Sequence, residues 1–250
     1  MSREHVMPQW MGSLFPDVTE VDYVRAFQTS GGDEDEHTRP GRPFDQTVKD
    51  FCVDCNIGWM SRLEVAAAPI LGPLIKDEPR SLAALDQETV AIWATKTVLT
   101  AGPTNLGGEP FASEESYRWF GANQVPLPGS LVWVGRYEGE GQWPISFHLH
   151  GMAFGPADEH GQPIGEMFEG FHAVYAIGHL VLCVFLIEHQ DPLASGGSDP
   201  QRKLIWPTRG DPVWWPPIRS YESMDELQEA SRLTPGGPAE PLPERGSPSG

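Results

Sequence analysis

The fold of this chain is organised around one stretch, Phe51-Cys-Val-Asp-Cys-Asn-Ile-Gly-Trp-Met-Ser-Arg-Leu-Glu64. It contains two of the three cysteines, Cys52 and Cys55, at a C-x-x-C spacing. A reverse turn of that length brings two thiolates to one point, which is half of a tetrahedral zinc site. The apolar residues that follow take a helical spacing. The sequence therefore predicts a cysteine turn, called the knuckle below, that runs directly into a helix.

A second segment near the start, Glu4-His5-Val6-Met7-Pro8-Gln9-Trp10, gives the knuckle a partner. Together the patterns E-H-V-x-P-x-W and C-x-x-C-N-x-G-W-M-x-x-L-E resemble a group of bacterial proteins similar to His-Asn-His (HNH, ββα-metal) endonucleases. The resemblance covers Arg3 to about Glu64. It implies a treble-clef-like finger, or a remnant of one, with Cys52 and Cys55 as structural zinc ligands.

The same resemblance implies a catalytic set for phosphodiester hydrolysis. His5 would be the general base that activates water. Glu4 and Asn56 would hold Mg²⁺ or another divalent cation. HNH enzymes usually carry a further His or Asn between their two cysteine turns and another after the finger helix begins. Residues 38–51 of this chain contain no His and no Asn. A degenerate finger that is kept for binding or folding is therefore an open alternative to an active one.

The zinc site is expected to be incomplete, because structural zinc takes four ligands. Cys183 lies in an apolar strand pattern and is predicted to be a core residue, while His5 and His37 lack a paired ligand spacing. The resembling proteins carry another C-x-x-C just before E-H-V. We therefore expect the reading frame to continue upstream of Met1 and to encode a C-x-x-C within about 20 residues, the span of one compact finger.

The formal net charge of −18 opposes binding to nucleic acid, since phosphate contacts need Lys and Arg. Residues 1–80 also hold eight Lys or Arg against fourteen Asp or Glu. Any DNA contact should be weak and lost as salt rises. Two hypotheses stay open. One is a metal-dependent HNH-like nuclease. The other is a non-catalytic interaction protein, or a phage or mobile-element accessory protein, whose finger is a structural clip and whose acidic surface engages a basic partner.

Cysteine usage and hydropathy predict a cytoplasmic protein without membrane contact. No apolar run approaches the roughly 18 residues of a membrane span, and the N-terminus lacks the basic and apolar regions of a signal peptide. A C-x-x-C pair with one further cysteine fits a reducing compartment better than a disulfide framework.

The remaining sequence predicts an α+β fold in which helices pack on an antiparallel sheet. We expect a finger over 1–64, an α+β domain over 65–233 and a disordered tail over 234–250. The apolar periodicities predict helices and strands. Helices are expected over 59–75, 85–101 and 113–120. The first should kink near Pro69, and the second should have Asp86 as its cap and Trp93 buried. Strands are expected over 47–51, 131–137, 145–154, 171–177, 180–187 and 203–206. Residues 30–42, rich in Gly and acids, and 207–217, rich in Pro, are expected to be loops.

Overall fold

The computed structural model describes residues 2–28, 34–102, 112–139, 146–154, 164, 168–187 and 200–232. The strands in these ranges are β1 (Ser2–His5), β2 (Val21–Gln28), β3 (Glu34–Gly41), β4 (Thr47–Phe51), β5 (Arg80–Leu82), β6 (Leu131–Arg136), β7 (Ser146–Phe154), β8 (Phe168–Ile177), β9 (Leu180–Ile187), β10 (Arg202–Trp206) and β11 (Val213–Trp215). The α-helices are α1 (Val53–Cys55), α2 (Ser61–Ile75), α3 (Ala84–Ala101), α4 (Glu114–Asn123) and α5 (Met224–Arg232). A 3₁₀ helix covers Gln9–Leu14 and a π-helical turn covers Asn56–Met60.

The main sheet has five antiparallel strands in the order β10-β6-β9-β8-β7. Its central strand β9 is buried along its whole length. The even-numbered residues of β9 join one hydrophobic cluster with α2 and α3, and the odd-numbered ones, including Cys183, join a second with Leu227 of α5. Because successive residues of a strand point to opposite faces, helices cover both sides of the sheet. The predicted α+β class, the antiparallel sheet and the core position of Cys183 are confirmed.

The tight hairpin between β8 and β9 needs glycine at position 178. Gly178 has a φ of +55°, and a Cβ there would lie 2.7 Å from the Ile75 carbonyl oxygen. The His179 N–H donates to that same oxygen at 3.1 Å. The hairpin therefore contacts the C-terminal end of α2, which fixes α2 against the sheet.

The clearest helix of the sequence is α3. It begins at Ala84, and Ala83 is its N-cap, so Asp86 is the third helical residue and not the predicted cap. The Asp86 carboxylate still satisfies the helix end, because it accepts a hydrogen bond from the Ala83 N–H at 3.1 Å. Trp93 is fully buried, as its place in the apolar stripe predicts.

The helix predicted over 59–75 begins at Ser61 and continues through Pro69 and Pro73. Its backbone irregularity lies earlier, at Gly58, where φ is −94° and ψ is −107°. Pro69 removes the hydrogen bond to the carbonyl of Val65. Val65 is 75% exposed, so water can satisfy that carbonyl and the helix tolerates the proline.

The loop prediction for residues 30–42 is wrong for Glu34–Gly41. These residues form β3, which pairs with β2 over eight consecutive positions from Val21↔Gly41 to Gln28↔Glu34. An antiparallel ladder is made by main-chain N–H and C=O groups, so an acidic run can join it. Charge and glycine content were therefore a poor guide to the backbone here.

The segment 207–217 is mostly irregular, as predicted, but contains the short strand β11, which pairs with β5. Trp215 of this strand is buried and donates from Nε1 to the Gly135 carbonyl at 3.2 Å. The predicted tail, 234–250, lies outside the described residues. None of the helices in the described ranges is long and apolar enough to span a membrane.

The boundary predicted between residues 64 and 65 falls inside α2. One hydrophobic cluster combines Val6, Met11 and Val48 from before this boundary with Leu71 and Val98 from after it. In the described part of the chain, the N-terminal segment therefore packs on the same core as the main sheet.

Candidate functional site

Strand β1 lies beside the knuckle because it pairs with β4, the strand that leads into it. The pairing is antiparallel and puts Ser2 opposite Phe51 and His5 opposite Thr47, with an irregularity between Ser2 and Glu4. The first residues of β1 therefore lie next to Cys52. The Asn56 side chain reinforces this contact, because its Nδ2 donates to Ser2 Oγ at 3.1 Å and to the Arg3 carbonyl at 2.9 Å.

The two knuckle cysteines are close together but differ in access to solvent. Cys52 is exposed and Cys55 is partly buried. Cys52 has an extended backbone (φ −60°, ψ 132°), and its carbonyl accepts from the Asn56 N–H at 3.0 Å, which closes the turn. Both sulfurs consequently lie on one turn of chain, as the C-x-x-C spacing predicts.

Hydrogen bonds within the knuckle move the two thiol pKa values in opposite directions. The pKa of Cys52 is lowered, first by the polar Cys55 backbone N–H and then by the Cys55 thiol, which both favour its thiolate. The pKa of Cys55 is raised, first by the Cys52 side chain, which favours its protonated thiol. The Trp59 indole N–H lies near the Cys55 sulfur, but outside normal hydrogen-bond geometry, so its opposite effect is minor. Cys52 is therefore the thiol that ionises first.

Glu4 points into the protein and binds a buried lysine of α3. Its Oε1 lies 2.8 Å from Lys96 Nζ, and Glu64 Oε1 of α2 lies 2.7 Å from the same nitrogen. The lysine side chain is only 2% exposed, and the two glutamates are 11% and 17% exposed. Two carboxylates thus share one ammonium group in the interior, which leaves this cluster with a formal charge of −1.

Two tryptophans complete this charged cluster. Trp93 Nε1 donates to Glu64 Oε2 at 3.0 Å, and Trp10 Nε1 donates to the same oxygen at 3.4 Å. A carboxylate that is removed from water is stable only when its oxygens are hydrogen-bonded or paired. The cluster therefore ties β1, the 3₁₀ helix, α2 and α3 together through polar contacts.

Glu4 and His5 are consecutive residues of β1 and Asn56 contacts that strand, but the three predicted catalytic side chains face different surroundings. Glu4 is buried against Lys96, whereas His5 follows it in β1 and is half-buried. Consecutive side chains of a strand point to opposite faces. The Asn56 amide is engaged with β1, at Ser2 and Arg3. The structure thus brings Asn56 to β1 and Glu4 to Lys96, and does not join Glu4, His5 and Asn56 in one cluster.

The predicted zinc ligands supply two donors of the four that a structural site needs. Among the described residues there is no group of three or more His, Cys, Asp or Glu side chains that could hold a metal ion. A C-x-x-C turn such as that of Cys52 and Cys55 supplies at most one edge of a zinc tetrahedron. The described residues do not close it.

Sequence reasoning missed Lys96 and the role of Glu64. The signal was present: Lys96 interrupts the apolar stripe of α3 between Trp93 and Val98, and Lys is almost never fully buried unless it is paired. Trp10 is the last residue of the E-H-V-x-P-x-W pattern, which also contains Glu4, and Glu64 is the last residue of the W-M-x-x-L-E pattern. In this structure these patterns supply the partners of one buried lysine.

The fold and the site define an α+β protein in which a dithiol knuckle and a paired strand are anchored to the core by a buried ionic cluster. The chain matches no model of a known protein family, no curated protein and no solved structure. The resemblance to HNH endonuclease-like proteins therefore stays a prediction that depends on the two quoted motifs.

Proposed function

We propose that this protein is a non-catalytic interaction protein whose N-terminal segment is a degenerate HNH-like finger that acts as a structural clip. The observation that carries the proposal is the ion pair between Glu4 and Lys96. The Glu4 carboxylate shares one buried ammonium group with Glu64 and lies on the opposite face of β1 from His5, so it is poorly placed to hold a cation beside His5. The treble-clef-like arrangement, in this view, survives as a scaffold.

The partner that suits this protein is a basic protein surface. The formal net charge of −18 attracts a polycation and repels DNA over a Debye length of about 8–10 Å at ordinary ionic strength. Zinc, if it binds, would be held weakly by Cys52 and Cys55, because two thiolates leave half of the tetrahedron to improvised ligands.

A metal-dependent nuclease is the second candidate, and one observation favours it. β1 and β4 pair antiparallel, and β4 leads directly through the knuckle into a helical segment. This pair of strands followed by a helical segment supports the ββα arrangement that the resemblance implies, with His5 on the first strand. An active enzyme would need a cation bound near His5.

Nicking of supercoiled plasmid DNA separates the two candidates. Wild-type protein and the His5→Ala variant would be incubated with Mg²⁺, Mn²⁺ or Zn²⁺ and compared with a chelator control. We expect no metal-dependent nicking above the His5→Ala background. Nicking by the wild type that is lost in His5→Ala would overturn the proposal in favour of the nuclease.

Zinc affinity tests the clip itself. Competition with a chromophoric chelator should show weak zinc binding that Cys52→Ser abolishes and Cys183→Ala leaves unchanged, since Cys183 is a core residue. Zinc binding that is insensitive to Cys52→Ser would show that the knuckle is not the metal clip.

A further inference from the structure

The knuckle has the arrangement that thiol–disulfide exchange requires. That reaction needs one thiol that can reach a disulfide in solution and a second thiol close enough to displace the first. Cys52 is exposed, Cys55 is partly buried, and both lie on one turn that the hydrogen bond from the Asn56 N–H to the Cys52 carbonyl closes. Cys183, the remaining cysteine, is completely buried in the hydrophobic core.

The surroundings of the knuckle leave Cys52 open and hold the turn in place. The intervening residues Val53 and Asp54 are themselves exposed. The turn is closed by the hydrogen bond from the Asn56 N–H to the Cys52 carbonyl. The Asn56 side chain anchors it to β1. None of these hydrogen bonds uses a cysteine sulfur, so a bond between the two sulfurs does not have to break them.

We propose that Cys52 and Cys55 form a redox-active dithiol, which low-molecular-weight disulfides of the glutathione class oxidise reversibly to an intramolecular disulfide. Cys52 sulfur, as thiolate, attacks one sulfur of the small disulfide, so that a mixed disulfide forms and one small thiolate leaves. Cys55 sulfur then attacks Cys52 sulfur, the Cys52–Cys55 bond forms and the second small thiolate leaves. The two cysteine protons end on the two released thiols, and the two electrons lost by the protein reduce the small disulfide.

The test uses the full chain, reduced and kept in a chelator, with glutathione disulfide as the probe. Acid quenching, alkylation and peptide mass mapping then locate every disulfide. Wild type should form the Cys52–Cys55 disulfide and release two glutathione molecules per chain. Cys55→Ser should stop at a stable mixed disulfide on Cys52. Cys52→Ser should react slower by roughly tenfold or more, because the partly buried thiol must make the first attack.

Cys183→Ala is the matched control and should behave as wild type, since that side chain never meets the probe. Circular dichroism verifies that each variant is folded. A first mixed disulfide on Cys55, or a mixed disulfide that accumulates equally in wild type and in Cys55→Ser, would overturn the proposal. Because the chelator removes metal, a negative result bears on the dithiol alone and leaves the clip function to its own zinc and nicking experiments.

Discussion

Replacing Lys96 by methionine removes the ammonium group that lies 2.8 Å from Glu4 and 2.7 Å from Glu64. Methionine keeps an unbranched stem of similar volume, so the loss of packing is small. What changes is electrostatic: two carboxylates, 11% and 17% exposed, are left facing the space that Lys96 filled. The variant therefore isolates the contribution of the buried charge cluster.

The expected loss of stability is large. Removing one partner of a buried ion pair costs about 3–5 kcal/mol, because the remaining charge is not compensated. The exposure of the glutamates allows some screening, which favours the lower part of this range. For a domain of this size each kcal/mol shifts Tm by about 2–4 °C, so Lys96→Met should melt roughly 6–20 °C lower than wild type.

Urea denaturation followed by tryptophan fluorescence is the suitable assay, since Trp93 and Trp10 contact the cluster. Lys76→Met is the control: Lys76 is exposed just after α2, and its loss should change the free energy of unfolding by no more than about 0.5 kcal/mol. A triple variant that also carries Glu4→Gln and Glu64→Gln has no buried charge and should recover roughly half of the loss or more.

The reasoning would be refuted by a Lys96→Met variant that unfolds within about 1 kcal/mol of wild type, which is the size of an ordinary substitution. A triple variant that is less stable than Lys96→Met alone would also contradict it. In that case the amides, and not the uncompensated carboxylates, would be the main source of instability.

Two further predictions concern single polar contacts. Trp93→Phe deletes the N–H that donates to Glu64 at 3.0 Å, so it should lower the free energy of unfolding by about 1.5–3 kcal/mol, as measured by urea titration. Trp214→Phe is the control, because Trp214 is 71% exposed and its replacement should change the free energy of unfolding little. Arg136 hydrogen-bonds to Asp77 and holds the pKa of that carboxyl below its ordinary 3.8. The resulting stabilisation is fully present above the unfolded-state pKa and is lost as pH falls through the lowered folded-state pKa. Thermal melts from pH 6 down to about pH 2 should therefore show an advantage of wild type over Asp77→Asn that disappears toward the acid end.

The sequence was informative wherever one periodicity dominated a long segment. Helix α3 and strand β9 are strongly apolar in the pattern of their element, and both were predicted to within a residue or two. The order of the strands in the sheet could not be predicted from such periodicities. β9 lies between β6 and β8, because its two apolar faces pack best at the centre of the sheet, and no local pattern encodes that neighbour choice.

Prediction failed where the backbone, or a distant partner, determines the structure. The acidic residues 34–36 indicate a loop by composition, yet their main chain completes the β2–β3 ladder. Glu4 was interpreted, from the resemblance, as a cation ligand together with Asn56 and beside His5. Its actual partner, Lys96, is 92 positions away, and only the packing of β1 on α3 brings them together.

The charged cluster also explains why Lys96 should prevent a divalent cation from binding to Glu4. A divalent cation on Glu4 would lie within about 4 Å of the Lys96 ammonium, and the repulsion between charges of +2 and +1 at that distance is about 8 kcal/mol at an effective dielectric constant near 20. Lys96 is only 1% exposed, so water screens this repulsion little. Lys96→Met should therefore bind Mn²⁺ where wild type does not, as measured by isothermal titration calorimetry, and the added cation should restore part of its lost stability. Glu4→Gln in the same background should abolish the binding. Equal Mn²⁺ affinity in wild type and Lys96→Met would mean that the Lys96 ammonium does not exclude a cation from Glu4, and the nuclease would then be the better account of the finger.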